Sequence, residues 1–257
     1  MADVFDSSLS RRRFLALAAS ASASACMPAM AGDELIGKLI AESRALPSLQ
    51  KRIVFISEAL VGKRYRANTL IGGPRTPEQF VVRDDAFDCV TYCETVWAAA
   101  QARDLPSFAA ALRAIRYHNG QVEWRDRNHD FASWYERNAA NGQGRAIAVG
   151  STVEVRKTIT APAALGKRTY SIAATPRTVL FAHKDKLADG DIMGFVSLRL
   201  QLDYYHCSFV VTGPGGELML RHASLSHGKV VNEKIETFFN TNRVRYVTVL
   251  RPAEKVG

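Results

Sequence analysis

No stretch of the sequence stays apolar for the roughly 18–20 residues that a lasting bilayer span needs. The nearest candidate, residues 14–31, is interrupted by Ser20, Ser22, Ser24 and Pro28, so no transmembrane anchor is expected. Cysteine is scarce, at 4 residues in 257, which excludes a disulfide-rich scaffold. No second cysteine pair accompanies Cys89 and Cys93 at zinc-ligand spacing, so a structural zinc site has no support. Blocks of Lys and Arg interleaved with aromatics are missing after residue 31, and no nucleic acid partner is expected. Internal repeats and low-complexity tracts are missing there too. The composition, 47% hydrophobic and 23% charged, is that of a folded globular chain.

What is present begins at the amino end. Ser10-Arg11-Arg12-Arg13-Phe14-Leu15 precedes a mild Ala/Ser/Leu run and the small-x-small site Ala29-Met30-Ala31. Residues 1–31 therefore read as an export signal of the twin-arginine type, with the periplasm as destination. A rival ending at Ala23-Ser24-Ala25-Cys26 has some features of a lipoprotein box but lacks the leucine three residues before Cys26. The remaining residues, 32–257, are long enough for one full-size domain or two small ones, and one domain with an elaborated segment at about 104–182 is expected. Removing the signal lowers the formal charge only from +9 to +8. Such a basic protein suits anionic partners, and charge alone does not choose among peptidoglycan stem carboxylates, nucleic acid and lipid headgroups.

Helices dominate the first half. Leu35, Ile36, Leu39 and Ile40 fall at helical spacing before Pro47. Ser48 opens a second helix that Gly62 ends, and a Gly/Pro/Arg-rich loop follows over residues 63–79. Asp88 caps a helix from Cys89 to about Arg103, Ser107 caps another, and Phe131 to Asn138 forms a further one. Residues 161–178 carry no clear period. Strands are expected at 191–197, 206–212, 217–221, 228–231 and 244–250, separated by turns such as Gly213-Pro214-Gly215-Gly216. Helices first and an antiparallel sheet later make an α+β layout.

Three cysteines remain beyond residue 31, an odd number, so at least one thiol is free or pairs with another chain. Cys89 stands out because Asp88 places it in a first helical turn, where free N–H groups and the helix dipole stabilise a thiolate. A free thiol titrates at about 8.5, and such a position lowers that value. Burial as a small hydrophobe is the alternative, and Cys93 and Trp97 on the same face read as core. In Tyr204-Tyr205-His206-Cys207 the strand period sends His206 and Cys207 to opposite faces, assigning His206 to chemistry and Cys207 to packing. A hairpin through the Gly-rich turn brings His222 beside His206, suited to orient its imidazole. The two histidines could instead ligate a metal, but no third ligand stands at sensible spacing. His129, in a loop with Trp124, Arg125, Arg127 and Asp130, either overhangs a cleft or faces solvent.

Seven ordered pieces resemble one family. They are Gly62-Lys63-Arg64-Tyr65; Phe87-Asp88-Cys89-Val90-Thr91; Ile115-Arg116-Tyr117-His118-Asn119-Gly120; Arg127-Asn128-His129 with Phe131 and Trp134; Gly190-Asp191-Ile192; Leu202-Asp203 with His206; and Arg221-His222-Ala223-Ser224. The chain resembles the NlpC/p60-type papain-fold cell-wall hydrolases, in their N-acetylmuramoyl-L-alanine amidase-like branch. The resemblance implies a papain-like core with Cys89 as nucleophile, His206 as base and His222 as orienting residue. It implies Tyr65 and Asp88 at the oxyanion or substrate end of a cleft, and Arg127 and His129 as substrate contacts. The implied reaction cleaves the amide between N-acetylmuramic acid and the stem-peptide L-alanine through a thioester, on muropeptide or peptidoglycan fragments, with no metal or organic cofactor. A γ-D-glutamyl endopeptidase acting within the stem is the alternative reading; a lipid acyltransferase on the same fold and a non-catalytic wall-binding module are others. Cys207-Ser208-Phe209 after the base, and Arg64, Arg66 and Arg75 before Cys89, depart from the family's pattern.

Overall fold

The computed structural model describes residues 33–254, so the expected export signal and Cys26 lie outside the described residues. Helices α1 (Asp33–Ser43) and α2 (Leu49–Ala59) form where Ile36, Leu39, Ile40, Leu49, Ile53 and Ile56 recur at helical spacing, all buried. Ser48 caps α2 by accepting from the Lys51 amide at 3.3 Å. Gly62, at φ +88°, takes the left-handed conformation that turns the chain afterwards.

The expected loop at 63–79 instead contains three short strands, β1 (Arg64–Tyr65), β2 (Ile71–Gly73) and β3 (Thr76–Gln79). β2 and β3 pair only with each other. β1 finds its partners far along the chain, which no local pattern announces. Next come β4 (Ala86–Phe87), α3 (Cys89–Gln101) and α4 (Leu105–Arg116). The cap of α4 is Asp104, not the expected Ser107; Ser107 completes a capping box by donating its amide to Asp104 Oδ1 at 2.8 Å. Then follow α5 (Phe131–Ala140), β5 (Gly144–Ala146), β6 (Val153–Ile159), β7 (Arg168–Pro176) and α6 (Arg177–Ala182). Half of the unreadable segment 161–178 is thus β7, which pairs with β6 from Arg168 to Ala174 and with β12 at Thr175 and Pro176. The chain ends with β8 (Ile192–Val196), β9 (Tyr204–Thr212), β10 (Leu218–Ser224), β11 (Lys229–Lys234), α7 (Ile235–Thr241) and β12 (Tyr246–Pro252).

The large sheet runs β4-β1-β11-β10-β9-β8-β12-β7-β6, with β5 added to β12. Its pairings are antiparallel except for β1 with β4. The mixed α+β class expected from the element order is therefore what forms. On β9, Cys207, Phe209 and Val211 face a core shared with α1 to α5, while Val210 faces a second core with Phe195, Leu220, Phe238 and Phe239. Burial on both faces explains the near-continuous apolar run of this strand. Gly194 on β8 is needed for space, since an added Cβ would lie 2.7 Å from the Phe131 ring and 2.8 Å from that of Tyr204. Among the described residues, no helix is long and apolar enough to cross a membrane.

Buried polar groups tie the layers together. Asp203 Oδ2 accepts from the Ala132 amide at 2.7 Å, fixing the start of α5 against β9. Asp191 is fully buried and accepts from Arg251 Nε and Nη2 at 2.7 and 2.8 Å. Arg221, on β10, donates to Ser57 Oγ at 2.8 Å and to the Val54 carbonyl at 3.0 Å, and also pairs with Glu58, which anchors α2.

Candidate active site

Two distant parts of the chain build the site. The first is the start of α3. Asp88 Oδ1 accepts from the Thr91 amide at 2.8 Å, and the Asp88 amide donates to Thr91 Oγ1 at 3.0 Å. This reciprocal cap fixes where the helix begins, and so fixes Cys89 in its first turn. Strand β4 immediately before it pairs with β1 in the register Tyr65↔Phe87, carrying Tyr65 to the same end of the helix. Burial, followed by the nearby Cys89 and Asp88, pushes the Tyr65 phenol up, so it stays a hydroxyl donor at neutral pH.

The second part is the hairpin of β9 and β10. His206 and His222 meet with Nε2 of the first 2.8 Å from Nδ1 of the second. Their rings are nearly perpendicular and their centroids 4.7 Å apart. Phe195 and Phe238 stack against His206 at 5.9 and 5.6 Å, holding the ring in plane. Burial, and then the charge of His227, lowers His222 to about 4, so this ring is neutral at pH 7.

The half-buried Cys89 thiol adjoins His206, as the sequence pattern requires of a nucleophile and its base. A second neighbour was not anticipated. The Cys207 thiol is fully buried, its Sγ 3.9 Å from that of Cys93, and it reaches Cys89 as well. The assignment of Cys207 to packing alone is therefore incomplete. Contact with Cys207, and then burial, push the Cys89 thiol well up, while His206 pulls it down. This corrects the expectation of a lowered value: the helix start is present, but the neighbouring thiol and burial outweigh it at Cys89. We expect Cys207→Ala to move the pH dependence of Cys89 alkylation by iodoacetamide toward lower pH; an unchanged profile would show that the neighbouring thiol has no such influence.

The other expected residues line one polar cavity of about 450 Å³ that includes Asn68, Asp88, Thr91, Arg127, His129 and Trp134. Asp88 thus serves as helix cap and cleft wall together. Arg127 enters the cavity already paired, donating from Nη1 to Glu78 Oε1 at 3.0 Å and Oε2 at 3.1 Å. Tyr117 donates to the same carboxylate at 2.9 Å. Glu78 escaped sequence reasoning because it lies on β3 within the supposed loop. His129 Nε2 lies 2.6 Å from the Trp124 carbonyl, which makes it the donor and leaves Nδ1 as an acceptor. Burial lowers His129, so it is neutral. His227, exposed in the turn between β10 and β11, has Nδ1 2.9 Å from Ser224 Oγ. Among the described residues, no group of three or more His, Cys, Asp or Glu is arranged to hold a metal ion.

The same fold occurs in a Legionella pneumophila protein, 22% identical over 87% of this chain and 96% of that one, with a TM-score of 0.76. It occurs also in an N-acetylmuramoyl-L-alanine amidase from Bacteroides uniformis, 23% identical over 80% of this chain and 99% of that one, with a TM-score of 0.68. The chain therefore shares the α+β fold of these two proteins. Residues 55–247 match the model of the AmiA-like family, described as N-acetylmuramoyl-L-alanine amidase-like, and the chain belongs to that family. Family and fold together point to a peptidoglycan amidase-like hydrolase. No curated protein matches the sequence.

Proposed function

We propose that the protein is a cysteine-dependent hydrolase of the NlpC/p60 type with a papain-like core. In this reading it cleaves the amide between N-acetylmuramic acid and the first alanine of the stem peptide. The observation that carries it is the 2.8 Å contact of His206 Nε2 with His222 Nδ1, with Cys89 at the start of α3 beside His206. That arrangement leaves Nδ1 as the ring nitrogen of His206 available to the thiol.

Catalysis begins when His206 takes the Cys89 proton and the sulfur attacks the lactyl carbonyl carbon. First-turn amides of α3 and the Tyr65 hydroxyl receive the developing oxyanion. The resting thiol is neutral, so the proton moves as the sulfur attacks, which makes the base essential. His206 then returns the proton to the leaving alanine nitrogen, the C–N bond breaks, and a thioester remains. Water, deprotonated by His206, hydrolyses that thioester and restores the Cys89 thiol. Asp88, Arg127 and His129 line the cavity that receives the substrate; because Glu78 already balances Arg127, they act as hydrogen-bonding partners more than as a net positive charge. Residues 1–31 would direct the protein to the periplasm, where soluble wall fragments occur.

Digestion of a defined muropeptide followed by mass spectrometry tests the reading. Release of an intact stem peptide beginning with alanine is the expected result. An alanine–glutamate dipeptide would establish an endopeptidase instead, and binding without any product would establish a wall-binding module.

A further inference from the structure

His222 Nε2 is buried with no hydrogen-bond partner of good geometry. Its nearest charge is Glu233 Oε2, 3.4 Å away on β11. The register explains the meeting. His222 pairs with Val231 and Leu220 with Glu233, so Glu233 is a diagonal neighbour on the His222 face. Its carboxylate is mostly covered, with 17% of the side chain exposed. Glu233 is the one carboxylate in the pocket behind the histidine pair. The other titratable groups facing the pair are Cys89 from α3, Tyr205 from β9 and His227 from the β10–β11 turn, while α7 contributes Phe238, Thr241 and Asn242.

We propose that Glu233 is a positioning residue that sets the protonation pattern of both histidines. The proposal rests on the reading of Cys89 and His206 as nucleophile and base. A neutral imidazole carries one proton. With a carboxylate at Nε2, His222 holds its proton there and presents Nδ1 as an acceptor. His206 must then carry its own proton on Nε2 to complete the 2.8 Å contact. Its Nδ1 is left bare toward Cys89, the only state in which it can act as base. Without Glu233, His222 gains nothing from a proton on Nε2. The alternative pattern, Nδ1–H of His222 donating to Nε2 of His206, becomes accessible and places the His206 proton toward the thiol. When His206 becomes an imidazolium during attack, the Glu233 charge also draws the 3.4 Å contact closed.

The test compares the full-length protein with Glu233→Ala and Glu233→Gln. The rate of Cys89 alkylation by iodoacetamide is followed against pH, with each labelled cysteine located by peptide mass mapping, beside kcat and KM on a muropeptide. Glu233→Ala is expected to slow Cys89 alkylation at neutral pH about 10- to 100-fold, with recovery at alkaline pH where the thiolate forms without a base. It is expected to lower kcat by a similar factor with little change in KM. Glutamine still offers an acceptor to Nε2–H and should restore most of the rate. Wild-type alkylation in Glu233→Ala, a glutamine variant as slow as alanine, or new labelling of the buried Cys93 and Cys207 would each overturn the proposal, the last by revealing a structural role. Alkylation does not require amide hydrolysis. An enzyme that cleaves no muropeptide but whose Cys89 still responds to Glu233 would overturn the substrate reading and leave this one standing.

Discussion

Cys89→Ala is expected to lower muropeptide turnover by about 10⁴-fold or more while leaving the thermal midpoint nearly unchanged. The size follows from the covalent route: among the described residues the two other thiols, Cys207 and Cys93, are both fully buried and cannot replace Cys89. The small effect on stability follows from what is removed, one half-buried sulfur at a helix start whose cap is made by Asp88 and Thr91. His206→Ala should cost a similar factor, and the double variant no more than the worse single one, because thiol and imidazole work as a unit. Steady-state kinetics with thermal unfolding on the same preparations checks all three. Substantial turnover in Cys89→Ala would end the cysteine mechanism.

The largest effect on stability is expected one turn deeper on the same helix. Glu94 and Arg116 form an ion pair at 2.7 Å with both side chains 3% exposed. Trp134 Nε1 adds a bond to Glu94 at 3.2 Å, and Arg116 Nη1 donates to the Val81 carbonyl at 2.7 Å. Arg116→Met keeps an unbranched apolar stem but strands the carboxylate in the core, which costs about 3–5 kcal/mol. The defect should depend on pH. Burial lifts the Glu94 carboxyl above its ordinary value, and Arg116 is the main influence holding it down. Without Arg116 the folded state holds the Glu94 proton more tightly than the unfolded chain does. The variant therefore loses stability as pH rises and recovers part of it on acidification. Denaturant titrations at neutral and mildly acidic pH measure this; an equal deficit at both would show that Glu94 is not the stranded group. Glu94, Arg116 and Trp134 also line the cavity that holds Asp88, Arg127 and His129, so loss of the pair should loosen its floor.

What was legible in the sequence was local. Ser48, Asp88 and the helical period of residues 33–60 announce their helices through side chains within a few residues, and those helices form as read. The alternation at 204–211 was informative for the same reason, since the two faces of β9 do meet different cores. Signals set by distant partners were not legible. Strand β1 exists because β4 and β11 flank it, and β7 because β6 pairs with it, so the segments 63–79 and 161–178 looked irregular. The same blindness hid Glu233: a strand read as ending at Val231 stops two residues short of it, while the hairpin pairing continues to Lys234. The influence of Cys207 on Cys89 was hidden because facing apart from His206 does not mean facing away from the helix. Several pieces that carried the family resemblance, Asp191, Asp203 and Arg221 among them, turn out to brace the layers and not to reach the cavity.

Cys89 and His206, the proposed thiol and base, come from opposite halves of the chain, with α3 early and the β9–β10 hairpin late. No short-range contact can bring them together, and the cost of closing so long a loop is met only when the whole sheet has assembled. Until then the chain carries a cysteine with no partner to take its proton. Under the proposed mechanism the hydrolytic potential would be withheld from every incomplete form of the molecule, nascent, truncated or partly unfolded, and folding itself would act as the activation step.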